Sequence, residues 1–226
     1  MAIVLNGTDQ YASAVAGLLS NEPLTISAWF KPDDITTSGM VAAFNGGAAD
    51  FLAVQARGAI SGDPVAAMSY GGAWAVVDST TSFTSGVWHN VIGVFSGDTS
   101  RSVWLDGEGK ATNTASQVVT VGNDFNIGTH NQVSAFFKGS LSYVTLWDKA
   151  LSDAEALSEG SGNGFMSVAT VNIVNAWSLV SDAVADAGIV DLTLFGVPSF
   201  NNTDAPEFNN ALAATQLLLL NANDGM

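Results

Sequence analysis

Residues 86–108 read GVWHNVIGVFSGDTSRSVWLDGE, and this stretch decides the fold. Val87–Phe95 and Ser102–Asp106 are short β-rich segments. Gly97-Asp98 turns the first back on itself, and Asp106-Gly107 is a tight-turn dipeptide after the second. Short strands joined by polar turns predict antiparallel hairpins. Trp88 is large enough to anchor a two-sheet core. His89 beside it reads as a packed histidine, because no acid or nucleophile is tied to it by spacing.

The same punctuation recurs along the chain. Further candidate strands are Tyr11–Val15, Leu24–Lys31, Met40–Phe44, Phe51–Gln55, Val65–Tyr70, Trp74–Asp78, Asp124–Ile127, Lys138–Trp147, Val171–Ser178 and Val190–Phe195. Gly, Asn, Asp and Ser clusters separate them, the pattern of an all-β sandwich or barrel. Alternate residues of a strand point to opposite sides. Leu24, Ile26, Ala28 and Phe30 therefore share one face, with Thr25, Ser27 and Trp29 on the other. Likewise Leu141, Tyr143, Thr145 and Trp147 oppose Ser142, Val144 and Leu146. One short helix is expected: Ser152 caps it with Glu155 three residues on, and Gly160 ends it. Glu155 and Glu159, four residues apart on that helix, read as a solvated face.

Several blocks occur in a telling order: LNGTDQYASA at 5–14, LTISAWFKP at 24–32, the 86–108 stretch, FNIGTHN at 125–131 and FKGSLSYVTLWDKALSDAE at 137–155. In the last, Gly139, Trp147-Asp148, Ala150-Leu151-Ser152 and Glu155 carry the spacing. Together with 175–200 as a late strand pair, the chain resembles the laminin-G-like and pentraxin-like (concanavalin A-like) jelly rolls up to about Phe200. The resemblance implies a two-sheet antiparallel jelly-roll sandwich with one short helix, occupying 1–204, and the composition beyond it reads as an apolar arm over 205–226.

Composition narrows the partners. Six Lys plus Arg stand against 21 Asp plus Glu, a formal net charge of −15, with no cysteine. Lys31, Arg57, Arg101, Lys110, Lys138 and Lys149 are scattered, so no basic footprint for phosphates forms, and nucleic acid and anionic membranes are not expected partners. No apolar run approaches the ~20 residues of a membrane span, and the opening MAIVLNGTDQY lacks the basic start of a signal peptide. Ala211–Leu220 is uncharged and apolar. Leu217, Leu218, Leu219 and Leu220 need cover, either from their own domain or from a neighbouring subunit.

Three kinds of site follow. The resemblance raises Ca2+, which takes six to eight oxygens. Pentraxin-like members supply acids from the loop after the Ile-Gly strand. Here that loop, Gly128–Gln132, has none, and Ser142 stands where the family commonly has Asp, which leaves Asp9 as the one metal candidate. For a ligand, Tyr70-Gly71-Gly72-Ala73-Trp74 sets two aromatics beside a glycine turn, where a glycan can approach the backbone. For catalysis, the five glutamates Glu22, Glu108, Glu155, Glu159 and Glu207 form no paired-carboxylate motif of the kind glycoside hydrolysis needs. The chain is expected to bind or coat rather than catalyse. The leading expectation is a virion-surface protein of a tailed phage, a capsid decoration or fibre, forming a homo-oligomer such as a trimer or docking on a capsid or tail lattice, with a surface glycan as ligand. It rests on a lone acidic module starting at Met1 and on the apolar arm. The alternatives are an extracellular bacterial lectin domain and a polysaccharide-active jelly-roll enzyme.

Overall fold

The computed structural model describes residues 2–15, 17–19, 21–45, 50–120, 122, 124–161, 172–179, 182–188, 190–201, 203–204 and 206. The expected arm, with Leu217–Leu220, lies outside them apart from Pro206. The strands are β1 (Ala2–Asn6), β2 (Tyr11–Val15), β3 (Leu24–Pro32), β4 (Ser38–Asn45), β5 (Asp50–Arg57), β6 (Val65–Gly71), β7 (Trp74–Asp78), β8 (His89–Gly97), β9 (Ser100–Leu105), β10 (Glu108–Asn113), β11 (Asp124–Ile127), β12 (Lys138–Trp147), β13 (Ile173–Trp177), β14 (Thr193–Phe195) and β15 (Ser199–Asn201), with helix α1 (Asp153–Gly160) after β12. They form two antiparallel sheets. One runs β10-β9-β8-β3-β12-β1-β15, with β13 also paired to β12, and the other runs β14-β2-β11-β4-β5-β6-β7. Among the described residues this is the expected jelly-roll sandwich with one helix. β1, β10 and β15 were not among the candidate strands.

The deciding stretch folds as read, with shifts of a residue or two. Asp106 (φ 56°) and Gly107 (φ 75°) are both left-handed, and Leu105 pairs with Glu108, so they form the two-residue turn of the β9–β10 hairpin. Gly97 pairs with Ser100, which moves the preceding turn onto Asp98-Thr99.

The main core lies between the sheets. Leu24, Ile26, Ala28 and Phe30 project into it from β3, against Phe44, Leu52, Val54 and Phe125 from the other sheet. Its aromatic contacts include Phe30 edge-on to Phe83 (5.5 Å) and Phe125 stacked on Trp177 (5.6 Å). The Trp177 indole is buried but satisfied, donating to the Val190 carbonyl at 2.8 Å.

Trp88 is not the core anchor. It is half-buried, and its Nε1 donates to Asp204 Oδ1 at 2.9 Å. Phe83, 2% exposed, fills the core there instead. The simple alternation expected of β12 also fails. Its register against β3 slips between Ser142 and Thr145, where Tyr143 takes φ 49°. The extra residue of this bulge resets the phase, so Leu141, Val144 and Leu146 all enter the main core.

A second apolar layer covers the outer face of the first sheet. Ile92, Val94, Trp104 and Trp147 pack with Leu151 and Ala156, the last from α1. Ser152 caps this helix in a complete capping box with Glu155. Glu159 is 1% exposed and so is not part of a solvated face, while Glu155 also holds Lys149. Among the described residues no helix is long and apolar enough to cross a membrane.

Candidate functional site: a groove on the open face of the second sheet

Among the described residues no helix lies over the outer face of the second sheet. Strand alternation dictates what it displays. On β5, Leu52, Val54 and Ala56 enter the main core, which leaves Phe51, Ala53, Gln55 and Arg57 outward. Cross-strand register then builds rows: Met40, Gln55, Ala66 and Asp78 in one, Ala43, Ala53, Met68 and Val76 in the next, and Phe51, Tyr70 and Trp74 in a third. Ala53 and Ala66 are short and fully buried beneath taller neighbours such as Met40 and Met68. The result is a cavity of about 450 Å³ lined by Met40, Gln55, Met68, Trp74, Val76 and His130, with Arg57 and Ser38 at one end. That volume is within the range of small-molecule sites.

One wall comes from the loop after β11. Thr129 Oγ1 donates to the Ser134 carbonyl, Asn126 Nδ2 donates to the His130 carbonyl, and Gln132 Nε2 donates to Asn126 Oδ1. The Met40 N–H donates to the Ala135 carbonyl at 2.9 Å and ties the loop to β4. His130 thereby lies 4.9 Å from the Phe51 ring, with its Nδ1 buried and unbonded among the described residues. Burial pushes the imidazole pKa down, which favours the neutral ring.

Tyr70 and Trp74, the two aromatics of the expected ligand site, come together here. Their centroids are 4.9 Å apart, and both rings rest on Phe51. Trp74 is 57% exposed at the rim. The reading of the neighbouring glycines needs correction. A Cβ at Gly71 would stand 2.1 Å from the Val118 carbonyl oxygen, and the Gly71 carbonyl accepts from Gln117 Nε2. Gly71 makes room for the chain's own backbone, and Gly72 (φ 86°) alone faces open space. Sequence reasoning missed Gln55, Met40, Met68, Arg57 and His130. The period-2 pattern of residues 51–57 was the one signal, and it reached only Gln55 and Arg57.

The remaining candidates do not converge on this face. Asp9 sits in the exposed β1–β2 turn and accepts from Asn6 Nδ2 at 2.8 Å, while Asn6 Oδ1 takes the Thr8 and Asp9 amides. In the Gly128–Gln132 loop, Asn131 Oδ1 is occupied by Val133 and Ser134 donors. No group of three or more His, Cys, Asp or Glu side chains able to hold a metal occurs among the described residues. This donor set does not fit Ca2+. His89 lies in the first sheet, 8% exposed. Its Nε2 accepts from the Thr84 amide and its Nδ1 meets Asp106 Oδ2 at 2.7 Å, so the ring has a packed, structural role.

Comparison with known proteins agrees with this architecture. Among solved structures, a heptameric SAP-like pentraxin from Limulus polyphemus superposes with a TM-score of 0.63 at 20% identity, covering 85% of this chain and 94% of the pentraxin. A putative carbohydrate binding protein from Bacteroides ovatus gives 0.65 at 16% identity over 92% of this chain and 61% of its own. Domain 4 of an extracellular arabinanase from Geobacillus stearothermophilus, solved with arabinotriose, gives 0.59 at 19% identity over 70% and 76%. At these identities the likeness is one of fold. No curated protein matches the chain. A laminin-G family model matches residues 6–156, and on that match the chain belongs to the concanavalin A-like lectin/glucanases superfamily.

Proposed function

We propose that the chain is a non-catalytic glycan-binding module whose ligand lies in the groove of the second sheet. The carrying observation is the Trp74 indole, 57% exposed at the rim of a cavity of about 450 Å³ and braced from behind by Tyr70 and Phe51. A sugar offers an apolar ring face to such an indole and its hydroxyls to the polar end groups Ser38, Gln55 and Arg57. No carboxylate lines the cavity among the described residues, and the nearby Asp78 is engaged by Arg57. This supports binding over hydrolysis, which needs two carboxyl groups across the scissile bond. The arabinotriose-bound arabinanase domain and the putative carbohydrate binding protein share the fold. A glycan array probed with the chain and with Trp74→Ala tests the reading. Signals that vanish in the variant support it; signals unchanged in the variant, or no signal from either, refute it.

A second reading concerns assembly. The fold neighbour of the pentraxin type is heptameric, and the −15 charge suits a self-repelling particle surface. Display as an oligomer on a virion or similar particle is the form this takes. A monomeric mass by light scattering, together with failure to bind particles, refutes it.

A further inference from the structure

We infer that the groove selects 2-acetamido sugars, with the Gln55 carboxamide reading the acetamido group. This rests on the groove being a glycan site and names the feature that site recognises. Gln55 is 9% exposed and lines the cavity, and its side chain makes no hydrogen bond with any described residue. An amide that lines a cavity without a protein partner keeps both its donor and its acceptor available to a ligand. A carboxamide presents one carbonyl acceptor and an NH2 donor. A secondary amide presents the complementary N–H and C=O, so the two can pair reciprocally, whereas the hydroxyl of the unmodified sugar offers a single oxygen.

The surroundings suit the methyl end of an acetamido group. Met40 and Ala66 lie directly across from Gln55 on either side, and Met68 and Val76 form the adjacent row. Both methionines line the cavity, and their unbranched side chains are adaptable. The charges disfavour an acidic sugar: the Arg57 guanidinium is engaged by Asp78, and the chain carries a net −15. The imidazole of His130 supplies a second unbonded polar atom beside Phe51.

The test uses matched ligands: triacetylchitotriose against cellotriose, and N-acetylgalactosamine against galactose, by calorimetric titration and saturation-transfer NMR. The expected result is that the acetamido member of at least one pair binds about tenfold or more tighter, the effect of one or two hydrogen bonds, with strong saturation of its methyl. Gln55→Leu, similar in size and apolar, should abolish that preference, and Gln55→Glu, which keeps the acceptor and loses the NH2, should weaken it. Circular dichroism confirms that each variant folds. Equal binding within both pairs, lost in Trp74→Ala, overturns the acetamido inference and leaves the glycan site standing. A preference that survives Gln55→Leu overturns the role of Gln55. Absence of binding to any sugar, here and on the array, overturns both readings.

Discussion

Trp74 stands against Tyr70 across the β6–β7 hairpin, ring centroids 4.9 Å apart, and both meet Phe51, which is 7% exposed where Trp74 is 57% exposed. The difference in burial separates presentation from packing. Phe51→Ala should cost about 3 kcal/mol of stability, as large-to-small changes in packed positions do. Trp74→Ala should cost less than about 1.5 kcal/mol, since over half of its surface is already in water. Denaturant unfolding of the two variants measures the difference. Equal losses would mean that the indole is structural.

On the opposite sheet, Asp106 serves three duties. Oδ2 meets His89 Nδ1, Oδ1 accepts the Asn90 amide at 2.7 Å, and its own φ of 56° opens the β9–β10 turn. Asp106→Ala strands a buried imidazole N–H and an amide and puts alanine in a left-handed conformation. The expected loss is about 2–4 kcal/mol, read as a lower denaturant midpoint with unchanged m-value. Sugar binding by the folded fraction should be unaffected, because His89 and the groove lie on different sheets.

Local rules made part of this molecule legible in sequence, and non-local ones hid the rest. Asp106-Gly107 and the Ser152/Glu155 cap are written in adjacent residues, and both fold as read. Trp88 was misjudged because its partner, Asp204, lies 116 positions away. The bulge at Tyr143 could not be seen from alternation, since one extra residue inverts every later side chain. For the site, Tyr70 and Trp74 were legible as aromatics beside a turn. Gln55 was not: its strand alternates plainly, but only the assembled fold shows that α1 packs on the outer face of one sheet while no described helix packs on the other.

Gly71 tests the closure of the groove's hairpin. With its Cβ position 2.1 Å from the Val118 carbonyl oxygen, Gly71→Ala must displace backbone. The expected cost is about 2 kcal/mol or more, together with loss of the bond from Gln117 Nε2 to the Gly71 carbonyl. Gly72→Ala meets no neighbour within 4 Å and carries only the strain of φ 86°, about 1 kcal/mol. Thermal melts should therefore rank Gly71→Ala well below Gly72→Ala. The reverse order would mean that residues 117–118 do not pack against this turn.

Two glutamates should shape the pH profile in opposite directions. Glu22 is raised from 4.5 to about 7, first by burial and then by the Asp98 charge, with Arg101 pulling the other way. Between those values the folded chain holds a proton that the unfolded chain has released. Its contribution is therefore complete below pH 4.5 and lost as pH rises through 7. Glu155 is lowered from 4.5 to about 2, first by the hydrogen bond from Lys149 and then by the Ser152 amide. Its contribution is complete above pH 4.5 and lost as pH falls through 2. Melting temperatures from pH 2 to 9 should show Glu22→Gln gaining on the parent chain as pH passes from 4.5 to 7. Glu155→Ala should lose about 1 kcal/mol at pH 7, after allowing for its partial exposure, and converge on the parent near pH 2. A Glu22→Gln difference that stays flat across pH 4.5–7 would mean that this carboxyl titrates normally in the fold.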